Sequence, residues 1–169
     1  QNALLELKKA TVALGDYHFN CHGSHRGPGG EELGKFFYPA LPFQVPYEAM
    51  LPKNITNLLV PVAVSSSRIG FGALRMEPTW VALGQAAGIA AQQAVAHDAS
   101  VADVDVVQLQ LRLHVWGAKT FYASDAEAES PYFRSVQFWG NRGLFQQMYD
   151  PDLPNKEGAG WEFRLHNIQ

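Results

Sequence analysis

Apolar residues run almost without a break from Leu58 to Val64, and the chain then passes through a Ser/Gly stretch before a long Ala/Gly-rich run from Thr79 to His97. A short apolar run bounded by turn residues is the pattern of a strand covered on both faces. It predicts an interior strand over 58–64, although Pro61 cannot donate to a ladder and pulls that strand toward an edge. The run after it predicts a helix over 79–97 with Gly84, Ala87, Gly88 and Ala91 on one small-residue face. Each mid-helix glycine costs about 1 kcal/mol against alanine, so two of them imply close packing on a sheet or another backbone.

Elsewhere the pattern is weaker. Leu4 to Val12 has no decisive period and is broken by Gly15-Asp16. The His-rich stretch from Tyr17 to Arg26 leads into GPGGEELG, which reads as an exposed turn. Between Phe36 and Pro52, prolines alternate with aromatic residues, favouring extended chain over helix because proline removes a donor and restricts its predecessor. Asp105 is placed to cap a helix carrying Val106, Leu109, Leu113 and Trp116 at helical spacing, with Gly117 as its stop. Ser130-Pro131 reads as a cap and first-turn proline for a short helix through Phe138, ended by Gly140. Beyond Gly143 the sequence PDLPNKEGAGWEF reads as loop with an apolar anchor.

Composition narrows the function classes. The 169 residues are 47 % apolar and 17 % charged, which suits one or two globular domains. A net charge of −3 gives no field to attract nucleic acid or an anionic membrane, so neither is an expected partner. The longest apolar stretch is too short to span a bilayer, and the polar start QNALLELKK is not a signal peptide, so a soluble chain of unassigned compartment is expected. One cysteine, Cys21, excludes an internal disulfide framework. Asn54-Ile55-Thr56 is a glycosylation sequon of the kind that arises by chance.

The chemistry-bearing residues cluster in two places. A strand, a Ser/Gly turn, Arg75, Pro78 and then a helix is the order that builds an anion or cofactor site, with free backbone N–H groups and the positive dipole end facing a ligand. The plainer alternative for Arg75 is a surface ion pair with Glu77. His18, Cys21, His22 and His25 suggest a metal cluster, but their H-x₂-C-H-x₂-H run has no familiar zinc spacing and no metal is assigned. The four tryptophans read as core or rim packing. No paired carboxylates or Ser/His/Asp order point to glycosidase, lyase or hydrolase chemistry.

The block NLLVPVAVSSSRIGFGALRMEPTWVALGQAAGIAA resembles the C-terminal signature of FAD-dependent oxidoreductases with a glutathione-reductase-like cofactor domain, including bacterial members that carry a xanthan lyase label. In that group an NLLV strand leads through a Gly-rich turn to R-x-x-P and a G-Q-A-A-G-x-A-A helix. The matching elements are Asn57 to Val60, Gly70 and Gly72, Arg75 and Pro78, and Gly84 to Ala91. GDYHFNCHG at Gly15 to Gly23 resembles the family's G-x-Y-x-x-D-x-H segment, FQVPYEAMLPKNITN its Y-x-I-P-Y-x-x-L-x-P-K segment, and Val104 to Gly117 its closing helix. The likeness spans roughly residues 11 to 117. It implies FAD as cofactor, hydride transfer between a substrate and the flavin as reaction, and a flavin lined by Gly72, Ala73, Leu74, Arg75 and Met76, with Gly70 and Thr79 alongside. Ser65 or Ser66 would supply the hydroxyl where many relatives have Gly-Asp, and His22 would be an acid/base, although the expected aspartate before it is Asn20.

The G-x-G-x-x-G that opens such a cofactor domain, where glycines let the backbone meet the pyrophosphate, has no counterpart in the sequence. The expected fold is therefore α/β: an incomplete FAD-binding Rossmann-like domain, with an extended or β segment before its last strand and helix and a small helical C-terminal region. Three regions follow: 1–56, resembling the end of a substrate domain and the return to the cofactor domain; 57–98, last strand, flavin-facing turn and helix; and 99–169, a helical extension. The expected function is the C-terminal part of a flavin-dependent oxidoreductase, inactive alone, completed by a missing N-terminal half or another chain. The alternative is a non-catalytic interaction module that associates with a partner or with itself as a homo-oligomer.

Overall fold

The computed structural model describes residues 9–40, 42–123 and 126–145. The described chain is mixed α/β: two two-stranded antiparallel sheets and four α-helices. Strand β1 (Thr11–Gly15) pairs with β4 (Phe43–Pro46), and β2 (Phe19–Arg26) pairs with β3 (Glu32–Tyr38) as a hairpin. The helices are α1 (Arg68–Leu74), α2 (Glu77–Ala96), α3 (Val106–Val115) and α4 (Phe133–Asn141). None is long and apolar enough to cross a membrane.

One core lies between the β1/β4 pair and helices α2 and α3. Val12, Ala13 and Val45 from the strands, Met50 from the 3-10 turn Tyr47–Met50, Leu83, Ala86 and Ala90 from α2, and Leu109 and Leu113 from α3 are buried together. The alanines of α2 let the helix lie close to β1, which explains one of its two faces. Tyr47 reaches across this core to donate from its hydroxyl to the Val101 carbonyl at 2.7 Å. Burial, then the charge of Glu48, pushes the Tyr47 phenol up to about 12. A smaller cluster of Ala123, Ala126 and Val136, with Phe121 and Phe145 against it, underlies the C-terminal part.

The helix signals at α2 and α3 are met closely. Pro78 sits in the first turn of α2, where its missing N–H costs nothing. Asp105 caps α3 by accepting from the N–H groups of Val107 and Gln108, and Gly117 follows the helix at φ +74°, the left-handed geometry that stops it. The proline-rich stretch is extended at β4, as expected.

Four expectations are corrected. No strand forms over 58–64: among the described residues nothing supplies a ladder, Pro61 has no N–H, and Val60 and Ser65 instead donate to the Met50 and Ala49 carbonyls at 2.9 and 2.7 Å. The Ser/Gly turn is largely helix, because Ser67 caps α1 through its Oγ and draws Gly70 and Gly72 into a helical turn. Among the described residues the small-residue face of α2 meets no backbone at its glycines, since a Cβ added at Gly84 or Gly88 would have nothing within 4 Å. Helix α4 starts two residues after Pro131, because Ser130 folds into a local turn, accepting from Tyr132 N through its Oγ and from Phe133 N through its carbonyl. The His-rich stretch, left without an element by its pattern, is β2 of the hairpin. The expected C-terminal loop with Trp161 lies outside the described residues.

Candidate functional site

Residues 67–80 form two helices set end to end with a two-residue joint. Arg75 closes α1 by donating its backbone N–H to the Phe71 carbonyl at 3.0 Å. Met76 is extended (φ −94°, ψ 140°), and α2 begins at Glu77 with no side chain capping it. In the first turn of this 20-residue helix Pro78 carries no N–H and the Trp80 N–H donates to the Met76 carbonyl at 3.2 Å, so the N–H groups of Glu77 and Thr79 stand at the positive dipole end without a side-chain cap. Trp80, on the same turn, has its indole Nε1 buried and, among the described residues, without a hydrogen-bond partner. A buried donor left unpaired costs about 1–3 kcal/mol, so an acceptor at this position relieves a standing penalty.

The hairpin forms the other side. Gly72 is buried against Asn20, where a Cβ would come 2.8 Å from the Asn20 carbonyl oxygen. Only glycine lets α1 lie that close to the β2 backbone. The Arg75 guanidinium stands over the Tyr17 ring at 5.8 Å, and Asn20 Nδ2 donates to the Tyr17 hydroxyl at 3.3 Å. Arg68 Nη2 donates to Cys21 Sγ at 3.8 Å. The Cys21 thiol is lowered from its ordinary value, first by a backbone hydrogen bond at Gly23, which desolvation opposes, with the Arg68 hydrogen bond and the charges of Arg68 and Arg75 adding to the lowering.

The structure brings some of the expected site residues together and leaves others apart. Arg75 and Met76 form the joint, Thr79 is buried in the first turn of α2, and Gly70 donates its N–H to Ser67 Oγ at 3.0 Å. Gly72 and Ala73 are buried within α1, and Leu74 packs on the main core. Ser65 and Ser66 are exposed, and the Ser66 hydroxyl donates to the Ser67 carbonyl at 2.8 Å. Among the described residues Arg75 makes no ion pair with Glu77; its partner is the Tyr17 ring. His22 is exposed on β2, opposite Lys35. His18 Nδ1 accepts from the Ala40 N–H at 3.3 Å, and the His18 ring meets Phe37 edge-on. Trp116 and Trp139 are exposed rather than core.

Three participants escaped sequence reasoning: Tyr17, Arg68 and the Trp80 indole. Tyr17 lies within the G-x-Y-x-x-D-x-H-like segment, so that motif held a signal for it. Arg68 and Trp80 gave none, because their significance depends on what α1 and α2 turn toward.

The sequence matches the family model described as FAD dependent oxidoreductase over residues 6–113, more than half of the 169 residues. The chain belongs to the FAD-dependent oxidoreductase family. No curated protein and no solved structure matches the chain. The family uses FAD, and the donors at the α1/α2 joint suit it: a guanidinium, an open helix N-terminus and an orphaned indole N–H match a ligand rich in carbonyl and phosphate oxygens. Both flanks of the joint, the Gly15–Gly23 segment and residues 67–80, fall inside the family match.

Proposed function

We propose that this chain supplies one wall of the flavin site of an FAD-dependent oxidoreductase and is inactive until another segment or chain completes that site. The reading rests on three features of this stretch: the Arg75 guanidinium at the joint, the start of α2 without a side-chain cap and, among the described residues, a buried Trp80 Nε1 with no hydrogen-bond partner. Arg75 and the α2 N-terminus would hold flavin oxygens, with Trp80 as a further donor. Met76 and Thr79 would border the ring. Gly72 acts from behind by seating α1 on the hairpin, while Leu74 anchors α1 to the main core and Ala73 is buried between its neighbours in the helix. The exposed hydroxyls of Ser65 and Ser66 are available to a ribityl chain. When bound, the flavin would supply the two-electron redox chemistry of hydride transfer. His22 would act as the acid/base toward the substrate.

The completing partner would supply the pyrophosphate loop and cover the bare face of α2, where Gly84 and Gly88 have open space before them and Val81 and Val95 are exposed. That same bare face favours the second reading, a module that associates through α2 without catalysing anything. Titration of the purified chain with FAD, read by flavin fluorescence and by light scattering on the same sample, tests both. Weak or absent flavin binding by a folded monomer, restored with an added partner, supports the proposal. Turnover by the chain alone with FAD would overturn its claim of dependence, and a stable oligomer indifferent to flavin would favour the second reading.

A further inference from the structure

A buried polar cluster lies at the end of α3, remote in sequence from the α1/α2 joint, and centres on Thr120. Every polar group of Thr120 is engaged. Its N–H donates to Gln137 Oε1 at 2.7 Å, its carbonyl accepts from Gln44 Nε2 at 3.0 Å, and its Oγ1 lies 2.6 Å from Asn141 Nδ2 and 2.8 Å from His114 Nε2. Gln137 also accepts from the Phe121 N–H and donates back to the Phe121 carbonyl. His114, Thr120, Gln137 and Asn141 are all buried. Segment 118–123 is thus clamped between β4, α3 and α4 by side chains from three elements.

The cluster fixes the protonation state of the histidine. Gln44 Nε2 donates to Asn141 Oδ1 at 2.9 Å, so the Asn141 amide must present its Nδ2 hydrogens to Thr120 Oγ1. The hydroxyl oxygen accepts there, and its own hydrogen has His114 Nε2 as acceptor. This arrangement assigns His114 as neutral, with a bare Nε2 and its proton on Nδ1, which among the described residues is buried without a hydrogen-bond partner. A second proton would fill the only lone pair that receives the Thr120 hydroxyl and place a charge in a buried site. Strands β1 and β4 carry no ionisable side chain, Arg134 on α4 is exposed, and Lys119 is paired with Glu127 at 2.9 Å. Among the described residues the charge whose field bears on the ring is Arg142, just after α4, and it too opposes protonation.

We infer that residues 118–141 are docked on the rest of the chain by a histidine latch that holds only while His114 is uncharged and opens on acidification. Burial, then Arg142, pushes the His114 ring down to about 4. A folded value below the ordinary value of about 6.5 means the latch is at full strength above that pH and weakens as pH falls toward the folded value. The matched family region ends at residue 113, so the latch begins where the match stops.

The test is amide hydrogen exchange of the full chain at pH 7 and pH 4.5, corrected for intrinsic exchange, in the wild type, His114→Gln and Thr120→Val. Glutamine keeps an acceptor for the hydroxyl but carries no charge at either pH. The expected result is a loss of at least tenfold in wild-type protection over 118–141 relative to β1 and α2 on acidification. His114→Gln should keep its protection, and Thr120→Val should have lost it already at pH 7. Nitrogen NMR of the wild-type His114 ring, which needs no variant, should show a protonated Nδ1 and an unprotonated Nε2 at neutral pH. Protection unchanged by pH in the wild type, equal losses in wild type and His114→Gln, or a protonated Nε2 at pH 7 would each overturn the latch.

Discussion

Gly72 and Asn20 are in contact through backbone alone: a single added carbon on the helix would stand 2.8 Å from the strand's carbonyl oxygen. This contact seats α1 on the hairpin and holds the segment carrying Arg75 near Tyr17. Alanine at 72 gains helix propensity but must push the backbones apart. Gly72→Ala should destabilise the chain by about 1–3 kcal/mol, read from chemical denaturation.

The glycines of α2 should behave oppositely. Gly84→Ala and Gly88→Ala meet empty space, so each should stabilise the isolated chain by about 0.8–1 kcal/mol. If that face receives a partner, the same substitutions should weaken association measured by light scattering with the partner present. Stabilisation with undiminished association would show that the partner binds elsewhere.

Arg75 separates ligand binding from folding. Its contact within the chain is the Tyr17 ring, worth about 0.5–1 kcal/mol at a site of this exposure. Arg75→Gln should therefore change thermal stability little, yet weaken FAD binding to the completed assembly by about 1.5–3 kcal/mol, roughly ten- to hundredfold. Unaltered affinity in a flavin titration would remove Arg75 from the site.

Cys21 offers a chemical readout of the same neighbourhood. A thiol held below its ordinary range is more fully ionised at neutral pH. Alkylation at pH 7 should be faster than for cysteine in an unstructured peptide, and Arg68→Met should slow it by removing the donor at Sγ. Equal rates in the two proteins would mean that Arg68 does not influence the thiol.

Gln137 satisfies three backbone groups at once. Gln137→Leu preserves much of the bulk but leaves the N–H groups of Thr120 and Phe121 and the Phe121 carbonyl without this partner. A loss of about 2–4 kcal/mol is expected in denaturant unfolding, larger than for the exposed neighbour substitution Ser135→Ala.

What the sequence made legible follows from how local each signal is. The Asp105 cap, the Gly117 stop and the first-turn Pro78 act within a turn or two of their own residues, and α2 and α3 appear where those signals put them. The run 58–64 failed because apolar content reports burial or its potential, whereas a strand needs a neighbour to bond with, which the described residues do not provide. The hairpin was hidden by side chains of no regular alternation, Phe19, Cys21, His22 and His25 among them. At the joint, Arg75 was readable from its R-x-x-P context. Its partner Tyr17, 58 positions earlier, became visible only once α1 was laid on β2. The cluster on Thr120 draws on positions 44, 114, 137 and 141, a spacing with no period of any kind.

Gln44 lies well inside the matched family region, yet its amide group donates to Thr120 and Asn141, both beyond it. Homology and folding therefore divide this polypeptide at different places. A protein cut at residue 113 would keep the matched sequence but strip Gln44 of both acceptors and open the end of its core to solvent. A piece that keeps both acceptors of Gln44 must include Asn141, and exchange of this region between relatives should carry the 114–141 segment with it.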